Sequence, residues 1–274
     1  MPKHACKLFY LGTAYHGSQY QPNLPTIQGE LINALTKWSG REYSSTSVVF
    51  AGRTDKGVHS IGQLVSFETE DKIQINQINK HLPEDIILWA ETVVPMDFNP
   101  RHRVLFRHYR YYFDESQSQV DFSRIMHAAN QLEGLHDFQL LSKPDDNRSS
   151  NTVLLNVCIS NEKTVFADFY GLSFLWKLVR KSVTLLVNIG KGKADPDIFG
   201  RLLDGKNVLP SGIEPAPPGN LFLMDAAIPL QMNSNKNALN IIRKRLKKWI
   251  SYFRRYQITL EGVFTDCFTE ELLC

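Results

Sequence analysis

The chain has 274 residues, 43% of them hydrophobic and 22% charged, enough for one large domain or two modest ones around a sizeable core. No apolar run approaches the roughly 18 residues that cross a bilayer, and the start, Met1 to Cys6, lacks the apolar core of a signal peptide, so a cytoplasmic location without a membrane partner is expected. The formal charge of +3 is uneven: eight basic residues and no acidic one lie between Ala226 and Leu260, which points to a basic arm with a polyanionic partner.

Residues 6–14 read as a strand. Thr26 is placed as an N-cap for a helix over Ile27 to Trp38, with Ile27, Leu31, Ala34 and Leu35 on one face. A short strand over Ser47 to Ala51 leads into a loop punctuated by glycine, Gly52 to Gly62, and the alternation of Gln63 to Thr69 predicts a strand. A helix follows over 74–81, then strands over Ile86 to Val94 and Leu105 to Phe113. The second half gives a helix over Phe122 to Leu132, strands over Val153 to Ser160 and Val165 to Tyr170, helices over Phe174 to Val187 and Asp195 to Leu203, and a last strand at Leu221 to Asp225. Ile241 to Tyr256 forms the clearest helix, because Ile242, Leu246, Trp249, Phe253 and Tyr256 make one apolar stripe and basic residues cover most of the rest. Strands and helices mix without strict alternation. The expected class is α+β, with a mixed, largely antiparallel sheet and helices on one face.

Cys6, Cys158, Cys267 and Cys274 are far apart, form no Cys-x-x-Cys pair, and read as buried or incidental free thiols. No acidic and histidine residues fall at metal-ligand spacings, and no glycine-rich nucleotide loop is present, so neither a metal nor another cofactor is expected.

The segment Ala51-Gly52-Arg53-Thr54-Asp55-Lys56-Gly57-Val58-His59 sets an Arg-Thr-Asp triplet between two glycines just after a short strand. Such a loop can present a carboxylate to a pocket, but Asp55-Lys56-Gly57 is also good turn chemistry. The stretch Gly52 to His59, with Gly62-Gln63 and Phe67, resembles the catalytic signature of the tRNA pseudouridine synthase A family. The resemblance runs in order through Tyr10-x-Gly12-Thr13-x-Tyr15-x-Gly17, Thr26-Ile27-Gln28, Leu82-Pro83-x-Asp85-Ile86, Phe98-x-x-Arg101 and Arg107-His108-Tyr109-Arg110-Tyr111. It continues through Gly134-x-x-Asp137-Phe138, Phe174-Leu175-x-x-x-Val179-Arg180 and Pro215-Ala216-Pro217-Pro218-Gly219-x-Leu221, covering roughly residues 6 to 225. Leu11 and Ser18 stand where many members have Asp and Trp, and the last 45 or so residues match nothing in the family core.

The resemblance implies an intramolecular isomerase that converts uridine to pseudouridine in tRNA, most commonly at positions 38, 39 and 40 of the anticodon stem-loop, with a related branch acting elsewhere. It implies two pseudo-symmetric α/β halves, placed at 1–102 and 103–229, with a central cleft between them, and a homodimer. The remaining 230–274 form a basic helical extension. Asp55 takes the position of the catalytic carboxylate, as a nucleophile or as the base that deprotonates C2′. Either role needs an ionised group, which a nearby cation stabilises.

Arg180 is the implied cation, although a surface arginine at a helix end is the plainer reading of the residue alone. Tyr109 is the implied base-stacking residue, although Tyr109, Tyr111 and Phe113 also make an ordinary core stripe. Arg53, Lys56, Arg101 and Arg107 are candidate tRNA contacts, joined by Lys244 and Lys248 of the basic helix. His59 reads as structural. A non-catalytic RNA-binding protein would be marked by loss of the Asp, which is present. A glycoside hydrolase would need a second carboxylate.

Overall fold

The computed structural model describes residues 1–114, 120–143 and 149–268; most of the polar stretch 143–150 and Cys274 lie outside the described residues. Ten strands are present among them: β1 (Lys3–Tyr10), β2 (Val49–Phe50), β3 (His59–Glu68), β4 (Ile86–Val94), β5 (Phe106–Tyr112), β6 (Gly134–Asp137), β7 (Asn151–Ser160), β8 (Phe166–Gly171), β9 (Leu221–Ala227) and β10 (Asn233–Ser234). The helices are α1 (Ile27–Ser39), α2 (Ile75–Ile78), α3 (Pro100–Arg103), α4 (Phe122–Asn130), α5 (Leu178–Gly190), α6 (Ile198–Leu203) and α7 (Lys236–Phe268).

All ten strands join one sheet in the order β10-β4-β1-β3-β9-β5-β8-β7-β6, with β2 alongside β3. Every pairing is antiparallel except β3 with β9, where His59 faces Phe222 and Ser60 faces Leu223 in parallel register. That contact joins the N-terminal half to the C-terminal half, giving the expected α+β class as a single continuous sheet.

Each half covers its part of the sheet with helices over its own core. In the first half, Leu8, Tyr10, Val65 and Phe67 meet Leu31 and Leu35 of α1 and Ala238 and Ile242 of α7. In the second, Tyr109, Tyr111 and Phe169 meet Ile125 of α4 and Val183 and Leu186 of α5. Buried polar bonds bolt the halves together. The Lys7 ammonium, nearly buried, pairs with Asp225 and donates to the Ala226 carbonyl at 2.6 Å. Burial pushes its pKa down, and Asp225 opposes that shift. Cys6 is buried, and burial pushes its thiol pKa up; Cys158 is exposed.

The sequence expectations hold for the long periodic elements and fail at their edges. The helix expected from Phe174 begins at Leu178, because Lys177 sits at φ 67°, a left-handed conformation that an α-helix cannot pass through. The basic helix runs from Lys236 to Phe268, well beyond 241–256. Its first half is part of the body rather than a separate extension, since β10 adds to β4 and Ala238 is fully buried. The strand β6, Gly134-Leu135-His136-Asp137, carries no burial alternation to mark it. The helix α3 is one turn, capped by the Asn99 side chain.

Thr26 caps α1 as expected, its hydroxyl accepting from Gly29 N at 3.2 Å. Thr26→Ala should cost about 1 kcal/mol in urea unfolding and lower Tm by roughly 2 °C.

Candidate active site

The loop between β2 and β3 is built by its neighbours. The backbone from Asp55 to Val58 closes a turn, Val58 N donating to Asp55 O at 3.1 Å, with Gly57 at φ 84° where a side chain would be strained. Thr54 is held on three sides. Its N–H donates to Ser18 Oγ at 2.8 Å, its carbonyl accepts from Ser18 N at 3.0 Å, and its hydroxyl lies 2.8 Å from Tyr10 OH. Tyr10 is fully buried, and burial pushes its pKa up to about 12. Gly17 and Gly12 permit the close packing: a Cβ on Gly12 would sit 2.1 Å from the Val58 carbonyl oxygen. Tyr15 OH donates to Asp85 Oδ1 at 2.7 Å, fixing the segment that follows Gly12. The opening motif and the Leu82–Ile86 motif thus form the frame of the Asp55 loop.

Across the seam, Arg180 Nη1 of α5 donates to Asp55 Oδ2 at 2.9 Å. The two side chains are 13% and 26% exposed, so the pair is shielded yet open to a ligand on the Asp55 side. Arg180 is aimed by backbone: Nε donates to Ala216 O at 2.6 Å, and Ala216 N donates back to Arg180 O at 3.1 Å. Thr184, one turn on, donates to Glu214 O at 2.8 Å. The proline-rich segment therefore lies along α5 and clamps the guanidinium. Oδ1 of Asp55 accepts no hydrogen bond among the described residues.

His59 links the two halves directly. Its Nδ1 accepts from Gly12 N at 3.0 Å, and its Nε2 donates to Gly219 O at 3.0 Å. Only the neutral tautomer with hydrogen on Nε2 satisfies both contacts. Burial holds the His59 pKa below its ordinary value, with the Gly219 contact opposing.

The remaining candidates divide. Tyr109 is nearly buried at a point where the β5–β9 register slips, with its ring edge-on to Phe174 at 4.8 Å. It shares a core cluster with Val58, three residues past Asp55. Arg53, Lys56 and Arg101 are exposed. Arg107 is nearly buried, and its guanidinium donates to the carbonyls of Leu172 at 2.6 Å, Ala51 at 2.6 Å and Arg101 at 2.9 Å. That geometry makes Arg107 a brace under the loop rather than the phosphate contact expected from its charge. Lys244 is exposed on α7, and Lys248 pairs with Glu84 at 3.6 Å in an exposed position. Sequence reasoning missed Ser18 and the carbonyls of Ala216 and Gly219 as parts of the site; a serine or a backbone carbonyl carries no motif of its own.

A family model described as tRNA pseudouridine synthase matches residues 128–229, the part that contains Arg180. The chain is 38% identical over 258 residues to the tRNA pseudouridine synthase A of Methanosarcina mazei, covering 88% of this chain and 94% of that one. Against the protein of that name from Methanothermobacter thermautotrophicus it is 42% identical over 231 residues, covering 82% and 81%. The chain belongs to the tRNA pseudouridine synthase A family. With the Methanococcoides burtonii member it shares 35% identity over 98% of this chain and 99% of that one, so that match includes α7, contrary to the expectation of an unmatched tail.

Protonated His59 would turn an N–H toward the Gly12 N–H. Because its folded pKa is depressed, its contribution to stability is full above about pH 6.5 and falls as pH drops toward the folded value. Urea unfolding of wild type between pH 7.5 and about 5 should show that loss, and His59→Gln should flatten the curve by the equivalent of one proton.

Proposed function

We propose that this chain isomerises uridine to pseudouridine in tRNA, at positions 38, 39 and 40 of the anticodon stem-loop, with Asp55 acting on the target sugar. The observation that carries the reading is the Asp55–Arg180 pair at 2.9 Å across the seam of the two halves, largely shielded and fixed by backbone on both sides. In the reaction the N1–C1′ bond breaks, the uracil turns, C5 bonds to C1′, and the proton leaving C5 is balanced by one gained at N1. No outside reactant is consumed.

Arg180 orients the carboxylate through Oδ2 and leaves Oδ1 toward the ribose. There it meets the demand of either route, attack by the carboxylate or removal of the C2′ proton. Tyr109, nearly buried in the core cluster that includes Val58, supplies a ring for the uracil to rest on and a hydroxyl near its edge. Taking a base out of a stem costs roughly a few kcal/mol. Arg53, two residues before Asp55 and exposed with Lys56, stabilises the extruded nucleotide through its phosphate, and Arg101 extends that contact. Arg107 works from beneath, holding the Ala51 and Arg101 backbone in place. The protein acts as a homodimer in the cytoplasm, reading tRNA by shape and backbone.

The basic side of α7, including Lys244 and Lys248, adds phosphate contacts at a distance from the cleft. Because the inner part of α7 is packed into the body, the test is substitution and not truncation. Replacing Lys244, Lys247, Arg254 and Arg255 by Gln should weaken tRNA binding and make its dependence on log salt shallower, by up to about 0.9 for each phosphate that is no longer neutralised. Unchanged affinity at low salt would remove α7 from the RNA surface.

Pseudouridine mapping on unmodified tRNA transcripts tests the main reading. Wild type should create pseudouridine at 38, 39 or 40, and Asp55→Asn should abolish it while tRNA still binds. Product at other positions would keep the chemistry and move the target. No product from wild type, with binding intact, would sink the enzymatic reading.

A further inference from the structure

Residues 172–180, from the end of β8 into α5, touch three parts of the candidate site and leave one large ring over. Leu172 O accepts from Arg107, Phe174 lies edge-on to Tyr109, and Arg180 reaches Asp55. Trp176 stands between the last two in sequence, 47% exposed, while its neighbours Leu175 and Leu178 are buried. The other three tryptophans, Trp38, Trp89 and Trp249, pack against the core of the N-terminal half; Trp176 belongs to no core cluster. Its place is nonetheless fixed. Its carbonyl accepts from Lys143 N at 2.8 Å, and Lys177 after it takes the left-handed φ of 67°.

The charges beside the ring are positive. Lys143 Nζ lies 3.9 Å from the ring centroid and Lys177 Nζ 5.9 Å, and the ring keeps its exposure with both contacts made. Lys181, one turn beyond Lys177, donates to Ser142 O at 2.7 Å. Burial and the nearby Lys177 hold the Lys181 pKa below its ordinary value, and no acid opposes that shift. None of the three lysines pairs with a carboxylate among the described residues. Ammonium groups held together without an anion attract one. An exposed π face beside them suits a polymer that alternates flat rings with negative charges. Unpaired RNA is such a polymer, since a base can stack on the ring while its phosphates meet the lysines. An acidic peptide would use the lysines and leave the ring idle. Position selects the nucleotide: Trp176 Cα lies within about 15 Å of Arg180 Cα, four residues on. Extruding the target uridine takes a stacking partner from the nucleotide beside it, and Trp176 replaces that partner.

We propose that Trp176, with Lys143, Lys177 and Lys181, forms a stacking site for the nucleotide that flanks the extruded uridine. This site rests on the role given to Asp55 above and adds an RNA contact apart from Arg53, Arg101 and α7.

The test uses the full-length protein, an unmodified tRNA transcript and tryptophan fluorescence. The transcript should quench wild-type emission, and most of that quenching should vanish in Trp176→Phe. Trp176→Leu should weaken tRNA binding about 10-fold, the scale of one lost stack, while Trp176→Phe stays within about threefold of wild type. Lys177→Gly should make the dependence of binding on log salt shallower by up to about 0.9. It should not lower Tm, since glycine adopts φ 67° without strain. Wild-type affinity in Trp176→Leu, or quenching that persists in Trp176→Phe, overturns the site. So does an equal loss of affinity in the Phe and Leu variants with a lower Tm, which marks a structural role. Quenching by poly-glutamate as strong as that by tRNA overturns RNA in favour of an acidic protein. Pseudouridine formation separates this site from the reading beneath it. A transcript that binds and quenches but is not converted removes the enzymatic reading and leaves the stacking contact standing. Normal conversion, with no effect of Trp176→Leu on its dependence on RNA concentration, removes the site alone.

Discussion

The two halves share a parallel strand contact only two residues long, and the Asp55–Arg180 pair depends on it. Two residues of ladder cannot fix a 2.9 Å contact between side chains 125 positions apart in sequence. The added constraint comes from buried polar bonds that cross or support the seam. His59 takes Gly12 on one side and Gly219 on the other, Ser60 Oγ donates to the Leu223 carbonyl at 2.9 Å, and Lys7 reaches Asp225 and Ala226. In a medium of low polarity each of these would be costly to leave unmade, so the halves have little freedom to slide. Hydrophobic contact alone would hold them together without fixing their register.

The loop that carries Asp55 shows the same economy of means. It has no long regular structure, yet Ser18, Tyr10, Gln63 and Arg107 all bond its backbone or its Thr54 side chain. Arg107 illustrates how a cation can serve geometry. A guanidinium that donates to three carbonyls satisfies those backbone groups and ties the start of the loop, α3 and the end of β8 to β5. The exposed cations of the same motifs, Arg53 and Arg101, stand outside this frame.

Much of the fold was legible because the long elements carry periodic patterns. Ile86–Val94 and Phe122–Asn130 appear close to where alternation and helical spacing put them, and Thr26 caps α1. The short elements were not legible. β10 is two residues, and α3 is one turn made by an Asn-Pro pair, so neither has room for a period. The start of α5 was misplaced because Phe174 and Leu175 are apolar at helical spacing, while the left-handed Lys177 that interrupts them follows from packing and not from residue type. In the site, Asp55, Tyr109 and Arg180 came from the resemblance of ordered motifs, since each residue alone had a plain structural reading. Arg107 was misread because charge in a motif does not reveal how many carbonyls surround it. Ser18 was noted only as a departure, and its two bonds to Thr54 depend on a turn that brings Gly17 against the loop.

The return of the chain to its starting half has a consequence for biosynthesis. β10 adds to the edge strand β4, and Ala238 and Ile242 of α7 join the core under α1 and α2, so this core is completed by residues more than a hundred positions further along the chain. As the polypeptide leaves the ribosome, the first hundred residues emerge with the outer edge of β4 unpaired and the floor for α7 bare. They stay so until more than 230 residues have been synthesised. The nascent N-terminal half is thus the segment most in need of chaperone cover, and its completion waits on β10 and the first turns of α7.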